Sequence, residues 1–301
     1  LINFDARVLA HSNWQGQQAV VLDQTAFYPE GGGQIGDSGF LTGPHGYGKV
    51  VDTQKPLADL IVHIVKIEAG ELAVGDPALA QIDAERRLDI ARNHTATHLL
   101  HAALREVLGS HVRQAGSLVA ADHLRFDFTH VAGVSSAEMT EIVHRINDSV
   151  RGDLALIKGE TTYRQATSTG ALAFFGERYG DRVRTIQIGE SDPVSFEVCG
   201  GTHLDRTGQI GLFQVISEGS VGTGVRRIEA VTGRGAEAWL ADRLTALEEA
   251  ASKLHTLPTD LPQRIDALLA EVDQAKLTSQ LSRLDASRQE ADILVTKVQD
   301  V

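Results

Sequence analysis

Short β-branched runs separated by turn residues dominate the first part of the chain. Such runs occur at residues 19–22, 48–51 and 60–65, with Gly, Asp and Pro between them. Apolar runs of this length that are bounded by turn residues are typical of short β-strands. Several short strands in succession favour a small barrel or sandwich. Residues 1–87 are therefore predicted to form a β-rich, barrel-like unit.

Helical and strand-like patterns follow one another without regular alternation in residues 88–235. A helix is predicted from about Asp89, and Gly109 ends it. Ser135 and Glu138 form a capping-box pattern at the start of a second helix. Strands are predicted at residues 116–119, 123–128, 183–188 and 194–198. This irregular order favours an α+β domain over a doubly wound parallel sheet.

The last part of the chain has helical spacing and a different composition. All 29 glycines lie at or before Gly235, so residues 236–301 are predicted to form a separate helical tail. Pro258 and Pro262 should interrupt it. Beyond them we expect a coiled-coil-like helix about 58 Å long at 1.5 Å per residue. Its predicted seam consists of Leu277, Leu281, Leu284, Arg288, Ala291, Val295 and Val298.

Composition limits the class of protein. The 301 residues are 42% hydrophobic, which excludes wholesale disorder. No apolar run reaches the roughly 18–20 residues of a membrane span, and no signal-peptide pattern is present. A single cysteine excludes an internal disulfide and favours a reducing compartment, so we expect a cytoplasmic protein. Because the sequence starts at Leu1 rather than Met, we expect a piece of a longer protein or a processed protein.

Two short motifs predict a metal site. His94 and His98 are four residues apart in a predicted helix, so both imidazoles project from one face. Cys199 and His203 flank Gly-Gly-Thr after a predicted strand, and the glycines allow a turn that brings these side chains together. Three imidazoles and one thiolate suit one Zn²⁺ ion. Each motif alone is also explained by ordinary helix histidines or a buried cysteine, but the two together favour the metal site.

The signatures of two zinc-enzyme classes are absent. A zinc peptidase of the H-E-x-x-H type needs Glu after the first histidine, where this chain has Thr95. The H-x-E and P-C-x-x-C motifs of zinc deaminases are missing as well. A zinc hydrolase that acts on small esters or peptides is therefore disfavoured.

A glycine-dense segment lies within the predicted barrel at residues 27–39. It is not a phosphate-binding P-loop, because no Gly-Lys-Ser/Thr follows, and no helix follows to complete a dinucleotide fingerprint. Two interpretations remain open. The segment is either a flexible surface hairpin or a loop whose bare backbone lets a ligand approach closely. In the second case Gln34 offers both donors and acceptors.

Together these motifs resemble the editing region of the alanyl-tRNA synthetases. The resemblance covers roughly residues 1–255 and rests on six segments in the family's order. They are residues 28–37, 94–98, 112–119, 173–180, 199–203 and 224–233.

The resemblance implies that the chain hydrolyses an ester. The family removes serine or glycine wrongly attached to the 3′ end of alanine tRNA. Such a second site is needed because one methylene provides only about 1–3 kcal/mol of discrimination. The resemblance also implies that one zinc ion is bound. Either Cys199 or a histidine yields its position to water or substrate, or the metal mainly orients the amino group and ester, which is the favoured alternative. The ligands of the ion would be His94, His98, Cys199 and His203.

Further residue roles follow from the same resemblance. Gln34 is the first candidate for positioning the amino acid or the attacking water. Thr97, Asp37 and Thr202 are secondary candidates for the catalytic site, with purely structural roles as the alternative.

The resemblance also implies partners. These are alanine tRNA mischarged with Ser or Gly, the other domains of a full-length synthetase, and a second copy joined through a C-terminal region beyond this chain. No membrane partner is expected. Two alternatives stay open: a non-catalytic, zinc-stabilised module for tRNA binding or dimerisation, and a free-standing trans-editing alanyl-tRNA deacylase.

The formal charge of −12 argues against a nucleic-acid partner only when it is taken as a whole. Residues 89–236 carry 15 basic and 17 acidic side chains, and fourteen of the 15 are arginine. Because arginine binds phosphate in a bidentate manner, a local RNA-facing patch is compatible with the total charge. Its predicted members are Arg92, Arg113, Arg226 and Arg227.

Overall fold

The computed structural model describes residues 2–14, 16–173 and 180–299, with side chains up to residue 293. In these ranges the strands are β1 (Asn3–Trp14), β2 (Gln17–Leu22), β3 (Gly39–Thr42), β4 (Gly46–Leu57), β5 (Leu60–Gly70), β6 (Pro77–Ile82), β7 (Gln114–Val119), β8 (Leu124–Thr129), β9 (Leu156–Thr162), β10 (Arg182–Ile188), β11 (Ser195–Val198), β12 (Phe213–Gly222) and β13 (Val225–Thr232). The helices are α1 (Ala84–Leu108), α2 (Ser136–Arg151), α3 (Tyr163–Ser168), α4 (Gly233–Lys253) and α5 (Leu261–Gln299).

The first six strands close into a barrel. Their order is β1–β2–β5–β4–β3–β6, and every neighbouring pair is antiparallel. Along each strand, side chains alternate between the interior and the outside, so Val8, Leu41 and Val50 are fully buried. The barrel-like unit predicted from the sequence is confirmed.

Two antiparallel sheets and two packed helices form the next part of the chain. One sheet has the order β12–β13–β8–β7, and the other has the order β11–β10–β9. Their shared core joins Leu100 of α1 and Ile142 of α2 to Phe126 and Phe128 of β8, all four inaccessible to solvent. Burying each such side chain contributes about 1.5–3 kcal/mol. The predicted α+β class is confirmed.

Local capping residues set the ends of α1 and α2. The Asp83 side chain accepts a 3.0 Å bond from the Arg86 amide, so α1 begins about one turn before the predicted Asp89. Gly109, at φ 115°, ends α1 as predicted. The capping box of Ser135 and Glu138 forms in both directions, as the sequence indicates.

A second compact unit begins at Ala238 and contains most of α4 and all of α5. The 39 residues of α5 form one continuous helix, which confirms the long helical tail. The prediction that Pro262 interrupts the helices is wrong, because this proline lies in the first turn of α5. There its missing N–H costs no helical hydrogen bond. The seam residues Leu277, Leu281 and Leu284 are exposed, while those at 295 and 298 lie outside the described side chains. Long as α5 is, none of the helices described here combines the length and apolar character needed to span a membrane.

Candidate metal centre

The four predicted metal ligands lie together. His94 and His98 come from one face of α1, while Cys199 and His203 come from the loop after β11. One ligand atom of each residue lies within 4.8 Å of the others. Cys199 Sγ is 3.3 Å from His94 Nε2 and 3.3 Å from His203 Nε2. This cluster could hold one metal ion.

Polar side chains fix the outer nitrogen of two of the imidazoles. Gln34 Oε1 accepts a 2.6 Å bond from His94 Nδ1 and a 2.9 Å bond from the Thr202 amide. Thr95 Oγ1 lies 3.3 Å from His203 Nδ1. With Nδ1 engaged, each ring presents Nε2 to the cluster. Ligating histidines are oriented in this way in known metal sites.

A buried carboxylate serves the third imidazole. Glu197 Oε2 lies 2.8 Å from His98 Nδ1, and its Oε1 accepts bonds from His101 Nδ1 at 2.8 Å and Ser195 Oγ at 3.3 Å. Neither ring nitrogen of His98 has a hydrogen-bond partner among the described residues: Nδ1 only lies close to Glu197, and the other buried atom is Nε2. A metal ion at the cluster would satisfy this atom, so the residues present fit the predicted ion. Glu197 is not among the residues predicted from the sequence, although it is the one ionisable residue of its short strand.

The protonation states of the cluster also suit a cation. Burial alone would raise the pKa of Cys199, but the three neighbouring imidazoles hold it well below its usual value. Burial lowers the pKa of His203 to about 3. For His98 burial also acts downward, but the charges of Glu197 and Cys199 raise its pKa to about 10. The lowered pKa of the Cys199 thiol and the neighbouring Glu197 carboxylate both favour positive charge at the cluster, which the raised pKa of His98 reflects.

Gly201 is required for the close packing of the cluster. A Cβ at this position would overlap the His94 imidazole and lie 2.8 Å from Gln34 Oε1. At the adjacent Gly200, by contrast, a Cβ would meet no atom within 4 Å. The two glycines thus differ in function: only Gly201 leaves room for a ligand histidine, whereas a side chain at Gly200 would meet no neighbour.

The glycine-dense loop is packed rather than a free surface hairpin. Gln34 is fully buried. Val119 of β7 donates to the Gly33 carbonyl at 2.7 Å and accepts from the Ile35 amide at 3.1 Å. On the other side, the Glu30 amide donates to the Thr53 carbonyl of β4 at 2.8 Å. The loop thus bridges the barrel and the sheet of β7, and this bridge delivers Gln34 to His94.

The secondary catalytic candidates have structural contacts. Asp37 is 1% exposed. Its Oδ2 accepts from the Tyr28 amide at 2.6 Å and forms an ion pair with the Arg87 guanidinium. Thr97 Oγ1 donates to the Asn93 carbonyl at 2.8 Å within α1. These contacts hold the loop and the helix in place.

The predicted RNA-facing arginines are mostly engaged in ion pairs. The pairs are Arg92–Asp89, Arg226–Glu218 and Arg227–Asp127. The last two are bidentate, with N–O distances of 2.6–2.7 Å. Arg113 is exposed. Three of the four predicted phosphate contacts therefore already have a carboxylate partner.

A cavity of about 220 Å³ opens beside the cluster. The glycine-dense loop, one residue of β4, and the two ligand motifs contribute to its wall. The lining residues are Tyr28, Pro29, Glu30, Gly31, Gly32, Lys55, His94, Val198, Cys199, Gly200 and Gly201. Lys55 was not among the predicted site residues, because nothing in its local sequence connects it with the histidines.

Comparisons with known proteins agree with the predicted resemblance. The family model described as tRNA synthetases class II (A) matches residues 3–86, and that of the threonyl and alanyl tRNA synthetase second additional domain matches residues 183–229. Among curated relatives, the alanine–tRNA ligase of Chloroflexus aurantiacus is 48% identical over 94% of this chain and 33% of its own length. That of Roseiflexus castenholzii is 45% identical over 95% of this chain and 34% of its own. That of Sphingopyxis alaskensis is 48% identical over 87% and 30%. The chain thus spans about a third of the length of the curated relatives it matches. Of the six motif segments, that at 173–180 lies largely outside the described residues, which exclude 174–179.

Proposed function

Because the chain belongs to the alanyl-tRNA synthetase family, we propose that it edits: it hydrolyses the ester that joins a wrong amino acid to tRNA. The proposed substrates are alanine tRNAs that carry serine or glycine. What carries the proposal is the convergence of three histidines and a cysteine beside an open cavity. A purely structural metal site would not need the cavity.

The size of the cavity supports a small reacting group. Pockets for drug-sized ligands measure about 300–1,000 Å³. A space of about 220 Å³ suits the aminoacyl group at the end of a tRNA better than a longer peptide. The alanine-specific site of a synthetase discriminates poorly against glycine and serine, so a second, hydrolytic site adds the missing selectivity.

The donor set favours zinc as the metal, and we propose that one ion binds. Three imidazole nitrogens and a thiolate are typical zinc ligands. The zinc ion, when bound, supplies positive charge next to the ester. His94, His98, Cys199 and His203 hold it.

The first role of Gln34 is to position the ligand His94 and the loop that carries Thr202. Its Oε1 fixes the proton on His94 Nδ1, and its Nε2 donates to Thr202 Oγ1 at 2.9 Å. One Nε2 hydrogen is left to orient the substrate or the attacking water. In the reaction, water adds to the ester carbonyl carbon and the ribose oxygen leaves with a proton. The products are the free amino acid and a tRNA with a free 3′ hydroxyl.

A second candidate function is a non-catalytic zinc module that binds tRNA or supports dimerisation. One observation favours it: the four residues of the cluster would supply all four ligands that a structural zinc site needs. The two functions differ in one measurable property, because only the first consumes the ester.

We further propose that this segment works within a longer cytoplasmic synthetase. The curated relatives are about three times as long as the matched part. Their remaining domains would supply tRNA recognition and, through a C-terminal region, dimerisation.

A deacylation assay tests the proposed function. Alanine tRNA charged with serine, glycine or alanine is incubated with the chain, with Gln34→Ala, and with a chelator-treated sample. We expect rapid loss of the seryl and glycyl esters, slow loss of the alanyl ester, and a large decrease in rate for both perturbed samples. Equal background loss of all three esters would reject editing and leave the binding module.

A further inference from the structure

Two oppositely charged side chains line the cavity beside the metal cluster without a role in the chemistry above. They are Glu30 of the glycine-dense loop and Lys55 of β4. We propose that Glu30 binds the α-ammonium group of the aminoacyl ester and that Lys55 binds the 5′-phosphate of the same terminal nucleotide. This inference rests on the proposed function, because it assigns the substrate's charged groups to residues of that site.

Glu30 is held in place with one oxygen left for a ligand. Its amide donates to the Thr53 carbonyl at 2.8 Å, and its Oε2 accepts a 2.6 Å bond from Gln54 Nε2. Among the described residues, Oε1 of Glu30 accepts no hydrogen bond. Glu30, Gly31 and Gly32 all line the cavity, and the two glycines add no side chain to its wall beside this carboxylate. A preoriented carboxylate at this position suits a primary ammonium group.

Lys55 extends from an irregular part of the barrel. The pairing of β4 with β5 shifts its register between Gln54 and Leu57. Bulges of this kind re-aim side chains near functional sites. Lys55 is exposed, and within the described part of the chain it makes neither an ion pair nor a hydrogen bond. Its ammonium group is therefore available to an anion at the cavity.

The two charges are not paired with each other, so each can meet a group of the ligand. No ion pair joins Glu30 to Lys55 in the described structure, although both line one cavity of about 220 Å³. A ligand that matches both must carry a positive and a negative group some distance apart. A 3′-aminoacyl nucleotide does so: the ammonium and the 5′-phosphate lie on opposite sides of the ester.

This arrangement also predicts what the site rejects. An ester whose α-amino group is acylated, as in a peptidyl-tRNA, offers no ammonium to Glu30. Such an ester loses the ion pair with Glu30 and should therefore bind more weakly than the free aminoacyl ester. The site would thereby distinguish a mischarged amino acid from a growing peptide.

The test uses three non-hydrolysable probes. The first is adenosine 5′-monophosphate with serine linked to a 3′-amino group by an amide. The second is its N-acetyl derivative, which lacks the ammonium, and the third lacks the 5′-phosphate. Binding of each is measured by calorimetry to the zinc-loaded chain, to Glu30→Gln and to Lys55→Gln. The matched controls are Glu68→Gln and Lys66→Gln, an exposed pair on β5 with an N–O distance of 3.6 Å.

We expect a specific pattern of changes in Kd. Glu30→Gln should weaken binding of the first and third probes about tenfold, because both carry the ammonium group. Binding of the N-acetyl probe, which lacks it, should not change. Lys55→Gln should weaken the two phosphate-bearing probes about fivefold and spare the third. Both control variants should bind like the unaltered chain.

The inference is overturned if either variant weakens all three probes equally, if neither changes any, or if the unaltered chain binds none. Thermal unfolding of each variant shows whether it is folded. The proposed function is tested separately, by measuring deacylation of seryl-tRNA by the unaltered chain. A chain that deacylates but lacks this binding pattern keeps its function and loses this assignment.

Discussion

A single added methyl group at residue 201 tests the metal centre most directly. In Gly201→Ala the new Cβ overlaps the His94 imidazole and lies 2.8 Å from Gln34 Oε1. Carbon atoms pack at about 3.5–4.0 Å, so relief of this overlap requires the imidazole to shift by about 1 Å or more. The expected result is a metal centre that loses one ligand while the chain stays folded.

The size of the effect follows from coordination geometry. Zinc–nitrogen bonds measure about 2.0–2.1 Å and tolerate deviations of about 0.2 Å. A shift of about 1 Å therefore removes His94 from the coordination shell. Loss of an outer partner alone reduces metal affinity about 10–100-fold. A displaced ligand should cost at least about 100-fold, which corresponds to about 2.7 kcal/mol.

The chain offers a matched control in the neighbouring residue. Gly200→Ala adds the same methyl group where no atom lies within 4 Å. Zinc affinity of both variants is measured by competition with a chromophoric chelator, and unfolding by urea in the presence of a chelator reports the stability of the metal-free chain. If Gly201→Ala binds zinc as tightly as Gly200→Ala, the steric argument and the assignment of His94 as a ligand are both wrong.

Three further changes probe other parts of the structure. Glu197→Gln should reduce zinc affinity about 10–100-fold, since the carboxylate faces His98 Nδ1; unchanged affinity in the chelator assay would remove its orienting role. Burial lowers the pKa of His63 to about 4. Protons then bind the unfolded chain first as pH falls below about 6.5, so stability in urea should decrease by about 2 kcal/mol from pH 7 to pH 5. His63→Gln should flatten this dependence, and an equally steep profile would contradict the assignment. Asp37→Asn leaves Arg87 without its buried ionic partner and should lower the free energy of unfolding by about 2–3 kcal/mol, whereas a loss below about 0.5 kcal/mol would show the pair to be dispensable.

Local patterns in the sequence predict those features that depend on short spacing. His94 and His98 share a helix face because of helical periodicity, and the turn around Gly200 and Gly201 explains why Cys199 and His203 lie close together. The same is true of the capping box that begins α2. These features require only local geometry, which the order of residues determines.

Tertiary structure is needed for the remainder of the site. Glu197 faces His98, although the two residues are 99 positions apart in the chain. Lys55 reaches the cavity from a strand of the barrel. The number of arginines likewise predicts positive charge, but it does not predict which of them are paired with carboxylates. Arg226 was predicted to face RNA, yet Glu218 on the neighbouring strand binds it through two hydrogen bonds. Such pairings depend on strand register, which composition does not determine.

The bridge that Gln34 makes between barrel and helix has a consequence for how this protein can be divided. A fragment that starts at α1 would retain all four ligands but would lose the side chain that fixes His94 Nδ1. It would also expose the edge of β7 at Val119, which now pairs with the glycine-dense loop. The barrel and the metal-binding part should therefore be inherited together and expressed together as a single piece. In a recombined or shortened protein, neither part would function without the other.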